Sequence, residues 1–252
     1  MQGRNIGHWN GVRRCALLLL CFALGCYRFD RVPAGVKQSP LDLWVGTLQQ
    51  RYTVLEPAPM LPPSGVVPPG PGVLLLHSGF SGDEGVTADL GRTLAGRGMT
   101  VILPAYRGQL RKFDGKRSDG QVEFCDGEVD DAQAALDWLR TQPSVDPARI
   151  AVMGASHGGC ISLRLAARNP QVRALVSMSA PVAAGPLVRH LQEQAAGTFF
   201  YNGILGAQIR GYVKGGPADL PQSYTERSPL YTAHLLKMPM LVIHGQNDTI
   251  VP

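Results

Sequence analysis

The apolar residues of this chain fall into two kinds of run. Five stretches are short and almost unbroken: 73–77, 99–103, 149–153, 172–178 and 240–243. Apolar runs of that length, without polar alternation, suit strands buried on both faces. Between them lie segments with helical spacing. Val86, Leu90 and Leu94 share one face of residues 85–95, and Val129, Ala132, Leu136 and Leu139 share one face of residues 128–140. Residues 160–167 form a third helical stretch, shortly after the run at 149–153. Strand and helix in alternation predict an α/β fold, with a mostly parallel sheet and helices on both faces.

Two regions break that rhythm. Residues 27–72 carry Pro33 and the cluster Pro57, Pro59, Pro62, Pro63, Pro68, Pro69 and Pro71, which predicts an extended, non-helical lead-in or linker. Within it, residues 50–55 read as an antiparallel edge strand. Residues 183–231 hold several glycines and the aromatics Phe199, Phe200, Tyr201, Tyr212, Tyr224 and Tyr231.

The N-terminus reads as a targeting segment. Residues 1–14 are polar and positive, residues 15–24 are apolar but short for a membrane span, and Gly25-Cys26 follows. The end Ala23-Leu24-Gly25-Cys26 resembles a bacterial lipobox, which makes Cys26 the lipidated residue; cleavage without lipid is the alternative. The expected location is outside the cytoplasm, as a cell-envelope lipoprotein held at the membrane, otherwise periplasmic or secreted. The expected division is a signal peptide at 1–26, a lead-in at 27–72 and an α/β domain at 73–252. The formal charge of +5 changes little: Arg4, Arg13 and Arg14 of the leader account for most of it, leaving +2. That balance predicts no nucleic-acid partner. No spacing of ligand residues suggests a metal, and no organic cofactor is expected.

The candidate chemistry centres on Ser156. It stands in Gly154-Ala155-Ser156-His157-Gly158-Gly159, between the apolar run at 149–153 and the helical stretch at 160–167. A strand that turns through G-x-S-x-G into a helix lifts a serine hydroxyl above the sheet, at a helix N-terminus where free N–H groups favour an oxyanion. Side chains at Gly154 or Gly158 would collide with the neighbouring helix or strand. Asp248 follows the run at 240–243, in His244-Gly245-Gln246-Asn247-Asp248. A loop leaving a parallel strand lies on the edge of the sheet where such folds do their chemistry. The run at 73–76 likewise ends in His77-Ser78-Gly79-Phe80, a small-residue loop able to offer backbone N–H groups.

Together these segments resemble the catalytic domain of the prolyl oligopeptidase family and the dienelactone hydrolases. The resemblance extends over Ala105-Tyr106-Arg107-Gly108, Gly127-Glu128-Val129-Asp130-Asp131, residues 145–150 and Ser228-Pro229-Leu230. It implies an α/β-hydrolase fold with Ser156 as nucleophile and Asp248 as the triad acid. It implies an oxyanion hole from the Gly79 and His157 amides, and a supporting His77. Residues 183–231 would form a lid or a wall of the acyl pocket. Glu128, Asp130 and Asp131, in the first turn of a helix, are expected to be structural. Cys125 and Cys160 either form a disulfide, as in many exported proteins, or remain two buried thiols.

The family's general-base histidine lies after the acid. His8, His77, His157, His190, His234 and His244 all precede Asp248, so this chain supplies no triad histidine. The sequence therefore reads as a serine-dependent acyl hydrolase, acting on peptide or small ester substrates, that lacks its last strand, helix and base. The alternative is a catalytically inactive, surface-tethered binding domain that uses the hydrolase cleft.

Overall fold

The computed structural model describes residues 35–58, 68–82, 86–195 and 200–252. The expected targeting segment and Cys26 lie outside them. Seven strands form one sheet in the order β1-β2-β4-β3-β7-β8-β9. These are β1 (Val36–Val45), β2 (Leu48–Pro57), β3 (Gly70–Leu76), β4 (Thr100–Ala105), β7 (Val145–Ala155), β8 (Ala174–Met178) and β9 (Met240–Ile243). β5 (Leu110–Arg111) and β6 (Lys116–Arg117) pair separately. The sheet is parallel from β4 through β9, and β1 and β2 join it antiparallel.

The central strands divide their side chains between two cores, as the period of a strand requires. Leu74 and Leu76 of β3 point into a cluster with Val129, Leu136 and Leu139 of α2 (Gly127–Arg140) and Ile161 and Leu165 of α3 (His157–Arg168). Val73 and Leu75 point the other way, against Ala88 and Ala95 of α1 (Val86–Ala95). Both faces of the sheet are thus covered, and unbroken apolar runs such as 73–76 are the direct consequence.

Residues 36–57 of the lead-in differ from the expected linker. Residues 50–55 do form an antiparallel strand, but not at the edge, because β1 pairs outside β2. The half-buried Leu41, Leu43 and Val45 of β1 alternate with exposed Pro40, Asp42 and Trp44. Pro40 is tolerated because an edge strand has one free side. Residues 183–231 fold into α4 (Ala184–Ala195), α5 (Phe200–Val213), α6 (Pro221–Glu226) and a 3-10 turn (Pro229–Leu235). Leu187, Val188 and Leu191 of α4 and Ile209 and Val213 of α5 build a third cluster, with Phe124, Cys125, Cys160 and Val251. Those helices are therefore packed against the segments that carry the candidate site.

Candidate active site

Parallel register brings the site residues to one edge. Gly154 of β7 is level with Leu76 of β3 and Ser177 of β8, and Met178 is level with both Ala155 and Ile243 of β9. The loops holding Gly79, Ser156 and Asp248 therefore leave the same end of the sheet. The serine and acid loops stand two strands apart, about 10 Å at the usual strand spacing. An imidazole fits in a gap of that size.

Ser156 is half-buried and sits at φ 51°, ψ −118°, a left-handed conformation that a non-glycine residue adopts only under constraint. Its N–H donates to Met178 O at 2.8 Å, and its carbonyl accepts the Cys160 N–H at 3.1 Å. The flanking glycines explain how the turn closes. A Cβ on Gly154 would strike the Gly158 carbonyl, and a Cβ on Gly158 would strike the carbonyl oxygens of Leu76 and His77. The sequence reading of both glycines thus agrees with the packing.

His157 opens α3, so its amide has no intrahelical acceptor. Gly79 has φ +71°. The imidazole of His157 ties the two loops together. Its Nε2 accepts the Cys125 N–H at 3.1 Å, which leaves Nδ1 protonated to donate to Gly79 O at 3.3 Å. The ring stacks on Phe124 at 5.4 Å between centroids and lies 4.9 Å from Phe80. Burial pushes its pKa down to about 4. A neutral ring with both nitrogens committed is not a base for Ser156. His77 is buried against Tyr106, with Nδ1 2.9 Å from Ser78 O, and burial lowers its pKa to about 3.

Asp248 holds its own loop. Its Oδ1 accepts the N–H groups of Ile250 and Val251 at 3.0 and 2.9 Å. Its Oδ2 lies 3.7 Å from His244 Nε2, too far for a hydrogen bond. His244 instead donates from Nε2 to Val251 O at 2.6 Å. One carboxylate oxygen therefore closes the turn, while the other accepts no hydrogen bond among the described residues. His190 of α4 and Asn202 of α5 both donate to Thr249 O at 3.0 Å, fixing the loop from the helical side. Among the described residues, no imidazole is hydrogen-bonded to the Ser156 hydroxyl.

The acids of α2 are structural in this arrangement. Asp131 takes the Arg107 guanidinium at 2.9 to 3.3 Å and the Arg107 amide at 2.9 Å. A side chain at Gly127 would run into that guanidinium. Glu128 accepts the N–H groups of Glu123, Phe124 and Asp126. With His157 taking the Cys125 amide, all four amides of residues 123–126 are satisfied. This holds Phe124 and Cys125 at φ 57° and 56°. Cys125 and Cys160 are joined in a disulfide, with Cα atoms 6.1 Å apart. Neither the Glu128 cradle nor the role of the His157 ring was read from the sequence. Nothing in one chain marks two consecutive non-glycine residues for positive φ.

A mostly parallel sheet covered on both faces, with a serine on a strained strand-to-helix turn and an acid loop two strands away, defines an α/β-hydrolase. Residues 91–252 match the prolyl oligopeptidase family. The chain belongs to that family. It is 25% identical over 155 residues to the uncharacterized peptidase YtmA of Bacillus subtilis, covering 61% of this chain and 54% of that protein. It is 29% identical over 114 residues to cutinase est1 of Thermobifida alba, covering 43% and 34%. The structure of a puromycin-hydrolyzing peptidase of Mycobacterium tuberculosis superposes with a TM-score of 0.66 at 26% identity, over 86% of this chain and 31% of that one. The chain thus spans about half of the first of these proteins and about a third of the other two.

Proposed function

We propose that this protein is a serine-dependent acyl hydrolase acting on peptide or ester bonds, with Ser156 as nucleophile. The observation that carries the reading is the left-handed backbone of Ser156, held by two glycines that tolerate no side chain. Strain of that kind costs about 1–3 kcal/mol and is kept where it aims a functional group. Ser156 Oγ attacks the carbonyl as its proton passes to a general base. The Gly79 and His157 amides then receive the developing negative charge, the usual chief source of stabilisation in such sites. Asp248 orients the base through Oδ2. Among the described residues no histidine fills the base role; in the family order Ser, Asp, His the base follows the acid. Relatives named both as a peptidase and as a cutinase support the pair of substrate classes.

A fluorophosphonate probe tests this reading. In protein expressed from the complete coding sequence, the probe is expected on Ser156, with labelling abolished by Ser156→Ala. Labelling that persists in the variant refutes the assignment. A folded, export-competent protein that never labels supports the inactive binding domain instead.

A further inference from the structure

A half-open cleft of about 700 Å³ begins one residue beyond Gly79, at Phe80. Phe80 shares this wall with the candidate site, since its ring lies 4.9 Å from the His157 ring. It meets Tyr212, near the end of α5, edge-on at 5.0 Å. The two rings make an apolar stretch of the cleft wall next to the His157 ring. Arg117 and Lys214 line the same cleft.

The charges lining the cleft are unequal in their commitments. Glu123 pairs with Arg107 at 2.8 Å. Arg227 pairs with Asp126 at 2.9 Å, and also donates to the carbonyls of Glu123 and Ser223 at 3.0 Å. Arg117 donates to the Gly108 carbonyl and has no ion pair among the described residues. Lys214 is exposed, has no ion pair among the described residues, and sits at φ 64° just after α5. The Tyr212 hydroxyl has no hydrogen-bond partner among them either. The cleft charges without an ion pair among the described residues are thus both positive, and the Tyr212 hydroxyl lines the same cleft.

We propose that this cleft binds a carboxylate of the acyl substrate, separated from the scissile carbonyl by an apolar spacer that lies on Phe80 and Tyr212. The proposal rests on the reading of Ser156 as nucleophile, and names the substrate class of that site. The carboxylate can come from the free acid of a diacid half-ester or from the terminus of a short peptide. Both present the same group to Arg117 and Lys214. A surface ion pair is worth little in water. Two lining one cleft whose apolar wall orients the spacer are enough to set a preference.

Binding rather than turnover tests this, on the Ser156→Ala form of the chain, by titration calorimetry at low salt. The probes are monomethyl adipate against dimethyl adipate, and N-acetyl-Phe-Ala against its C-terminal amide. The carboxylate form of at least one pair is expected to bind about fivefold tighter or more, and which pair shows it tells the two sources apart. Raising the salt from 0.02 to 0.5 M, which shortens the screening length to roughly 4 Å, is expected to shrink the preference. Lys214→Gly removes the charge while suiting the left-handed backbone, and Arg117→Gln removes the second. Each is expected to reduce the preference about twofold to fivefold, and the pair to abolish it. Equal binding of acid and neutral probes overturns the proposal, as does a preference that survives the double variant. Because Ser156 is absent from this assay, its outcome is independent of probe labelling at Ser156.

Discussion

At the scale of single residues, His157 combines two tasks that sequence alone would assign to different positions. In the proposed site its amide is one half of the oxyanion hole, and its ring fastens the Gly79 loop that would carry the other half. The ring does this only while neutral, since Nε2 must accept the Cys125 N–H. Burial lowers its pKa from the ordinary 6.5 to about 4. Below pH 6.5 the unfolded chain takes up a proton that the folded ring refuses, so the ring's stability contribution is full above pH 6.5 and falls as the pH drops toward 4. The loss over that window is about 3 kcal/mol. His77, lowered to about 3, acts in the same direction, so a comparison is needed to isolate one ring. In urea titrations, the stability difference between the wild-type chain and His157→Phe is expected to shrink by about that amount between pH 7 and pH 4. A difference that stays constant with pH would mean that His157 is charged, or hydrogen-bonded otherwise, in the folded protein.

At the scale of elements, the segment 123–126 joins parts far apart in the chain. Glu128 organises it from α2, the disulfide and His157 from α3, and Arg227 from the end of α6. Closing a loop between residues 125 and 160 restricts the unfolded chain, an effect worth about 2–4 kcal/mol. Urea unfolding of the wild-type chain is therefore expected to shift to lower midpoint in reductant. The Cys125→Ala, Cys160→Ala double variant is expected to start at that lower midpoint and ignore reductant. Equal midpoints for wild type with and without reductant would identify two buried thiols instead. The same elements show what the sequence can reveal. Strands buried on both faces were legible as apolar runs, and α2 was legible from one apolar stripe with acids in its first turn. The elbow was legible because the glycines at 154 and 158 are demanded by backbone crossing at that spot. β1 was not, because Pro40 interrupts a pattern that is only half-buried. The cleft was not legible either: Phe80, Arg117, Tyr212 and Lys214 meet only through the tertiary path of α5, and none has a local signature.

At the scale of the whole molecule, the sheet has two unlike edges. β1 presents Lys37, Pro40 and Asp42 outward, the kinds of residue that discourage another strand from pairing. β9 presents Met240, Leu241, Val242 and Ile243, which are 44% to 61% exposed and carry no charge. It pairs with β8 alone among the described strands. An uncharged, apolar, open edge is a template for further strand addition. Purified as these 252 residues, the chain is therefore expected to self-associate, with light scattering rising steeply with protein concentration. Placing a charge on the edge opposes this, because a second copy would have to bring like charges together in the ladder. Val242→Lys is expected to shift the scattering onset to higher concentration. Trp44→Lys, which removes an exposed apolar side chain from the other edge, is expected to leave it unchanged. If Trp44→Lys suppresses association and Val242→Lys does not, the sticky surface is the β1 edge and the contrast between the two edges fails.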